Sequence, residues 1–203
     1  MDNISNDQKA SDRDKKLMYL EIYVASIILT ILLRLLEDPQ SKFFKISASL
    51  CFLINGLQKK GIEAAALCGF FGDALLVEDD LFILGVMSFI MGHLAYIYYF
   101  LNLDLNLHLT IRIMPILLLI DFAVIKQLNR HLKGNLWFLV MIYIVMLTIF
   151  VLFSTSTPSN FLGAICFYIS DYFVIRDMVV KKSKTNFVIG LPLYYFAQYL
   201  LCF

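Results

Sequence analysis

After residue 16 this chain is almost never polar for more than a few residues at a time. Apolar runs fill about 17–36, 43–57, 62–77, 81–101, 109–125, 134–153, 159–178 and 186–203. Most approach the ~20 residues that carry a helix across ~30 Å of hydrocarbon. Links as short as "EDD" at 78–80 and "QKKG" at 58–61 separate them. A backbone in lipid must satisfy its own hydrogen bonds, so such runs are helices, and short links turn neighbours antiparallel. The expected fold is an all-α polytopic membrane helix bundle of about eight transmembrane helices. Seven is the alternative count, because 43–57 and 62–77 fall short of a full span and must be less tilted or shielded by protein.

Composition agrees with that reading. Hydrophobic residues make up 60% of the chain and charged ones 16%, with a mean hydropathy of +0.76. No large soluble domain fits, and a net charge of +1 gives no argument for nucleic acid. The organisation expected is a disordered polar tail over 1–16 and one membrane domain over 17–203. The first apolar run lacks the small-residue cleavage site of a secretory signal, so it reads as a retained helix. Cys51, Cys68, Cys166 and Cys202 all lie in apolar runs without metal-like spacing, and are expected reduced. Lysine and arginine are plentiful at both ends of the bundle, which leaves its orientation open. The expected location is an integral, multi-pass one: the cell inner membrane of a bacterium, or an endoplasmic-reticulum type of membrane in a eukaryote. The oligomeric state is not readable.

Small residues mark where membrane helices can approach. Ala65, Gly69 and Asp73 share a face of the third segment, Ser88 and Gly92 of the fourth, Gly163 and Ser170 of the seventh. These stripes predict that the third, fourth and seventh helices meet around a polar interior.

The residues that most need explaining are polar ones inside apolar runs: Asp73 in "GFFGDALL", His93 and Tyr96 in "GHLAYIYYF", Ser170 and Asp171 in "GAICFYISDYF", and Tyr194, Tyr195 and Gln198 in "PLYYFAQYLL". A charge at mid-bilayer costs roughly 2.5–3.5 kcal/mol on insertion scales, so each must face a partner or a wet cavity. Taken singly, Tyr96 and Gln198 read as helix-to-helix hydrogen bonds, and His93 reads either way. Arg112 and Asp121 read as a structural pair, or as a pair in which Arg112 snorkels to the interface. Asp73 and Asp171 could be held in buried salt bridges, with Lys45 as a partner. Two aspartates on different helices, each beside a close-packing stripe, point to function instead.

Two carboxylates facing one low-dielectric pocket do not easily ionise together, which leaves an acid and a base at neutral pH. That pairing suits hydrolysis of an acid-labile bond. It also suits a proton-coupled small transporter or a lipid-binding membrane protein using the same carboxylates. Asp73, His93 and Asp171 could together ligate zinc, although no compact motif such as HExxH is present. The residues alone leave these readings open.

The same stretches resemble the YhhN family of multi-pass membrane proteins, from about Lys45 to the C-terminus. "GFFGDALL", "FILGVMSFIMGHLAYIYYF", "GAICFYISDYFVI" and "YYFAQYLL" resemble four family blocks in the same order, and "MIYIVML" resembles a fifth through Tyr143 and Met146. Two positions depart from the pattern: Cys68 and Gly69 stand where a serine is usual, and Lys45 is followed by Ile46 instead of proline. The resemblance implies a lysoplasmalogenase, a cofactor-free hydrolase of the vinyl ether at the sn-1 position of lysoplasmalogens. The products are a fatty aldehyde and glycerophosphoethanolamine or glycerophosphocholine. It makes 17–203 a catalytic domain whose partners are the lysoplasmalogen and membrane lipids. Asp73 and Asp171 would divide the acid and base roles without a metal. Tyr194, Tyr195, His93 and Gln198 would orient water and the ether oxygen, with Tyr96, Tyr143 and Ser170 in support, and Lys45 would attract the phosphate.

Overall fold

The computed structural model describes the backbone of residues 2–203 and the side chains of residues 17–203 apart from Asp79; the disordered tail expected over 1–16 lies, except for the backbone of α1, outside the described residues. The chain forms eight α-helices and, among the described residues, no strand. They are α1 (Asp2–Leu35), α2 (Ser41–Gln58), α3 (Glu63–Leu75), α4 (Phe82–Leu101), α5 (Leu107–Leu128), α6 (Gly134–Phe153), α7 (Pro158–Val179) and α8 (Lys184–Cys202). One-turn 3-10 helices at Asp79–Leu81 and Ser154–Ser156 complete two of the links.

The boundaries have local causes. Asn106, Thr157 and Ser183 each cap the helix that follows by accepting a backbone N–H, and Pro158 occupies the first turn of α7, where its missing N–H costs nothing. Between α2 and α3 the chain reverses through Gly61 at φ +98°, where a Cβ would also fall 2.8 Å from the Tyr99 ring. Only glycine takes that turn without strain.

Four helices are long and apolar enough to cross a membrane: Leu17–Leu35, Phe82–Leu101, Leu107–Leu128 and Gly134–Ser156, the last including the 3-10 turn. The other four carry the polar side chains or are short. α3 has 13 residues, about 20 Å of helix. Outward faces are apolar, as at Ile111, Ile116, Leu119 and Phe122 of α5, while Tyr195, Phe52, Phe100, Phe150 and Phe167 fill the centre.

The α1–α2, α3–α4 and α7–α8 links lie at one end of the bundle, tied by Lys42–Glu78 at 2.8 Å and Lys184–Glu37 at 3.1 Å. The small-residue stripes hold in part. α3 and α4 meet as expected, since a Cβ on Gly92 would lie 3.3 Å from Cys68 Cβ and 3.5 Å from the Ala65 carbonyl. The α7 stripe turns elsewhere: Gly163 faces α8, where a Cβ on it would lie 3.0 Å from Leu201 Cγ. α7 reaches α4 through rings, such as Phe89 and Phe167 at 6.2 Å between centroids. Glycine spacing shows that a helix face admits a close neighbour, but does not say which.

Candidate functional site

Asp73 lies in the last turn of α3, two residues from its end, on the face whose Gly69 and Gly72 let α8 and α4 come close. It is 2% exposed and fully engaged. Its Oδ2 accepts from Ser49 Oγ at 2.7 Å and from Tyr194 OH at 2.7 Å, and its Oδ1 lies 3.2 Å from Lys45 Nζ. Lys45 and Ser49 are one turn apart on α2, so a single helix face delivers both the cation and the hydroxyl. Two hydroxyl donors and an ammonium make this the setting of a carboxylate anion.

Behind Asp73 a polar chain runs along α8. Gln198 Nε2 donates to Tyr194 OH at 3.1 Å, Tyr96 OH donates to Gln198 Oε1 at 3.4 Å, and Cys202 Sγ lies 3.3 Å from Tyr96 OH. Tyr195 OH donates to the Lys45 carbonyl at 2.9 Å and lies 3.1 Å from Ser49 Oγ. These groups hold Tyr194 and the α2 backbone in place.

Asp171 enters from α7 in a different setting. It is 5% exposed, accepts a hydrogen bond from Tyr143 OH of α6, and has no ion pair among the described residues. Next to it, Ser170 is fully buried and its Oγ has no hydrogen-bond partner among the described residues.

Asp73 and Asp171 line one cavity of about 140 Å³, together with Lys45, Tyr143, Ser170 and Tyr194. That is room for roughly five water molecules. Phe82, Val86 and Phe89 of α4 and Leu191 of α8 supply apolar wall, and Arg34, Glu78, Asp177, Lys182 and Asn186 stand toward the end that holds the α1–α2, α3–α4 and α7–α8 links. The hollow is therefore polar at its carboxylate floor, apolar along its walls and charged at its mouth.

Of the residues the sequence singled out, Lys45, Asp73, Tyr143, Ser170, Asp171 and Tyr194 line the cavity, whereas Tyr96, Tyr195 and Gln198 stand behind it. His93 does neither. It is 1% exposed, enclosed by Phe150 and Phe167 with centroids at 4.9 and 4.8 Å and by Tyr143 at 5.7 Å, and neither ring nitrogen has a hydrogen-bond partner. The aromatic box keeps it from orienting water in the cavity or joining the two aspartates around a metal. The Arg112–Asp121 pair does not form either. Nine residues on one helix separate them by about 13 Å, and Asp121 accepts from Thr148 Oγ1 at 2.6 Å and from Tyr168 OH.

Sequence reading missed Ser49, hidden in "KISASL" as an ordinary polar residue near a helix start. Its one signal was its place one turn after Lys45. It also missed Arg34, Asp177 and Asn186, which look like interfacial residues until the helix ends are brought together.

The model of the YhhN family matches residues 40–203. No curated protein and no solved structure shows a match.

Proposed function

The chain belongs to the YhhN family, and from that premise we propose that it is an intramembrane lysoplasmalogenase, hydrolysing the sn-1 vinyl ether of lysoplasmalogens to a fatty aldehyde and glycerophosphoethanolamine or glycerophosphocholine. The observation that carries the reading is the shared cavity of Asp73 and Asp171, one carboxylate neutralised by a lysine and hydroxyls and the other held by a single phenol. Around it the eight helices form a multi-pass transmembrane domain. The short α3 is sheltered by α2 and α4, and the polar faces of α7 and α8 turn inward.

The two settings divide the labour. Asp171 gives a proton to the carbon β to the ether oxygen; the π electrons form the new C–H bond, and positive charge spreads over the α-carbon and the ether oxygen. Asp73, negative beside Lys45, faces that cation and takes a proton from the water that adds to the α-carbon. The resulting hemiacetal collapses when its hydroxyl returns a proton to Asp171 and the departing glycerol oxygen takes the proton held by Asp73. One water is consumed and both carboxyl groups end as they began. Tyr143 orients Asp171, Tyr194 and Ser49 orient Asp73, and the Ser170 hydroxyl, next to Asp171, has a hydrogen bond still to give. Gln198, Tyr96 and Tyr195 keep Tyr194 and the Lys45 backbone in register, and His93 packs beneath Tyr143. The apolar wall accepts the alkenyl chain while the charged mouth keeps the head group wet.

The test is aldehyde release by the purified protein in detergent, without added cofactor, from lysoplasmalogens with ethanolamine and choline head groups. Release from these, but not from a diacyl lipid or an ester-linked lysophospholipid, supports the reading. Wild-type turnover in both Asp73→Asn and Asp171→Asn overturns it.

A further inference from the structure

The mouth of the cavity contains a cation that the carboxylate floor does not use. Arg34, in the last turn of α1, lines the cavity and lies outside the stretch matched by the family model. Its guanidinium carbon stands 4.5 Å over the Phe187 ring of α8. Of the other cations at this end, Lys42 holds Glu78, Lys45 holds Asp73 and Lys184 holds Glu37, and Lys182, which also lines the mouth, is engaged as well. Arg34 has no carboxylate or carbonyl partner among the described residues. A guanidinium held over an aromatic ring spends none of its N–H donors on the ring's edge atoms and keeps the fork that matches two oxygens of a phosphate.

The spacing fits a ligand that reaches down to the floor. Along α8, seven residues separate Phe187 from Tyr194, about 10 Å of helix rise. Along α7, six residues separate Asp171 from Asp177, about 9 Å. A glycerol arm and the length of an arginine side chain bridge that depth. An anion at Arg34 therefore places the sn-1 oxygen attached to it toward Asp73 and Asp171. Lys45, committed to Asp73 at 3.2 Å, is needed at the floor and is poorly placed to serve as the principal phosphate group.

The geometry points to Arg34, braced by Phe187, as the phosphate-recognising residue of the cavity, selecting glycerol lipids that carry a phosphodiester over neutral ones. This assignment rests on the reading of the cavity as a lysolipid site, and its test is one of binding, so that it stands or falls apart from the reaction. The probes are an ester-linked lysophosphatidylethanolamine, a monoacylglycerol of the same chain length, glycerophosphoethanolamine and inorganic phosphate. Each is titrated against the full chain in detergent, at low and high salt.

Wild type is expected to prefer the lysophospholipid over the monoacylglycerol. Arg34→Gln reduces that preference by about tenfold, the weight of a charge-assisted hydrogen bond, and removes its salt dependence. Arg34→Lys keeps part of it, and Phe187→Leu, which removes the brace but not the charge, loses an intermediate share. Competition by glycerophosphoethanolamine or phosphate assigns the subsite to any phosphate group; competition by lysophospholipid alone assigns it to the lipid-attached one. Equal affinity of wild type for the two lipids, or an unchanged preference in both Arg34 variants, overturns the assignment. If the preference behaves as expected while no aldehyde is released from lysoplasmalogens, the reaction is wrong and the phosphate subsite stands.

Discussion

Two clusters of buried aspartate sit in this bundle, and they differ in a way that matters. At Asp121, α5, α6 and α7 converge: Thr148 and Tyr168 each donate to one carboxyl oxygen, and the residue lines no part of the described cavity. At Asp73 and Asp171, α2, α3, α6, α7 and α8 converge on groups of the same kinds, hydroxyl and phenol donors, but around an open hollow with a lysine beside one carboxylate. The first cluster fastens α5, a helix that otherwise shows mostly apolar side chains to its surroundings. The second sets both carboxylates along a hollow that a ligand can enter, with the buried, unpartnered Ser170 hydroxyl beside them. Burial of a carboxyl group is shared by both; access is not.

The hardest test of this contrast is isosteric replacement at all three aspartates. Asp73→Asn and Asp171→Asn are each expected to lower aldehyde release by about 10³-fold, within the range of general acid–base catalysis, with folding kept as judged by size-exclusion profile and Tm. Asp121→Asn is expected to keep turnover and lose stability. If Asp121→Asn silences the protein as thoroughly as Asp171→Asn, the distinction drawn from access fails.

The next largest effect separates the cation from the hydroxyls. Lys45→Met leaves Asp73 as an uncompensated buried carboxylate, which costs about 3–5 kcal/mol and appears as a marked fall in Tm. Adding Asp73→Asn to that variant restores much of the loss. A double variant no more stable than Lys45→Met alone shows that the pair does not carry this energy.

A matched pair of tyrosines then sharpens the comparison. Tyr143→Phe and Tyr168→Phe each delete a phenol donor to a buried aspartate, at a cost of about 1–3 kcal/mol. Their Tm values are expected to fall alike, while turnover falls with Tyr143→Phe alone. The smallest effect belongs to His93→Leu. Its two nitrogens already lack partners, so an apolar side chain there changes stability by less than about 1 kcal/mol or raises it, as thermal unfolding in detergent would read. A large loss of stability would mean that the imidazole has a partner within its aromatic box.

The fold was legible to a high degree. Apolar runs placed eight helices, with every end but the start of α1 within a few residues of the one observed, because in hydrocarbon a segment has little alternative to satisfying its own backbone. That all eight cross a membrane remains part of the proposal: α3 is short, and polar residues such as Asn160, Asp171 and Arg176 reduce the apolar character of α7. The site was legible in its parts. Lys45, Asp73, Tyr143, Ser170, Asp171 and Tyr194 were each named from the sequence and share one cavity. Ser49 and Arg34 were not, since a serine one turn from a lysine and an arginine at a helix end are unremarkable until another helix faces them.

What the sequence determined by itself was periodic and local: which stretches are helices, where they stop, and which polar side chains ride on otherwise apolar faces. Which of those side chains face each other was decided by tertiary structure, as Asp73 meets Tyr194 across 121 residues of chain and His93 turns into a closed box of rings. The physical reason is that helical period fixes the direction of a side chain about its own axis and says nothing of what stands opposite. Wet hollow and sealed knot are written in the same residue types, and only the arrangement of neighbouring helices tells them apart.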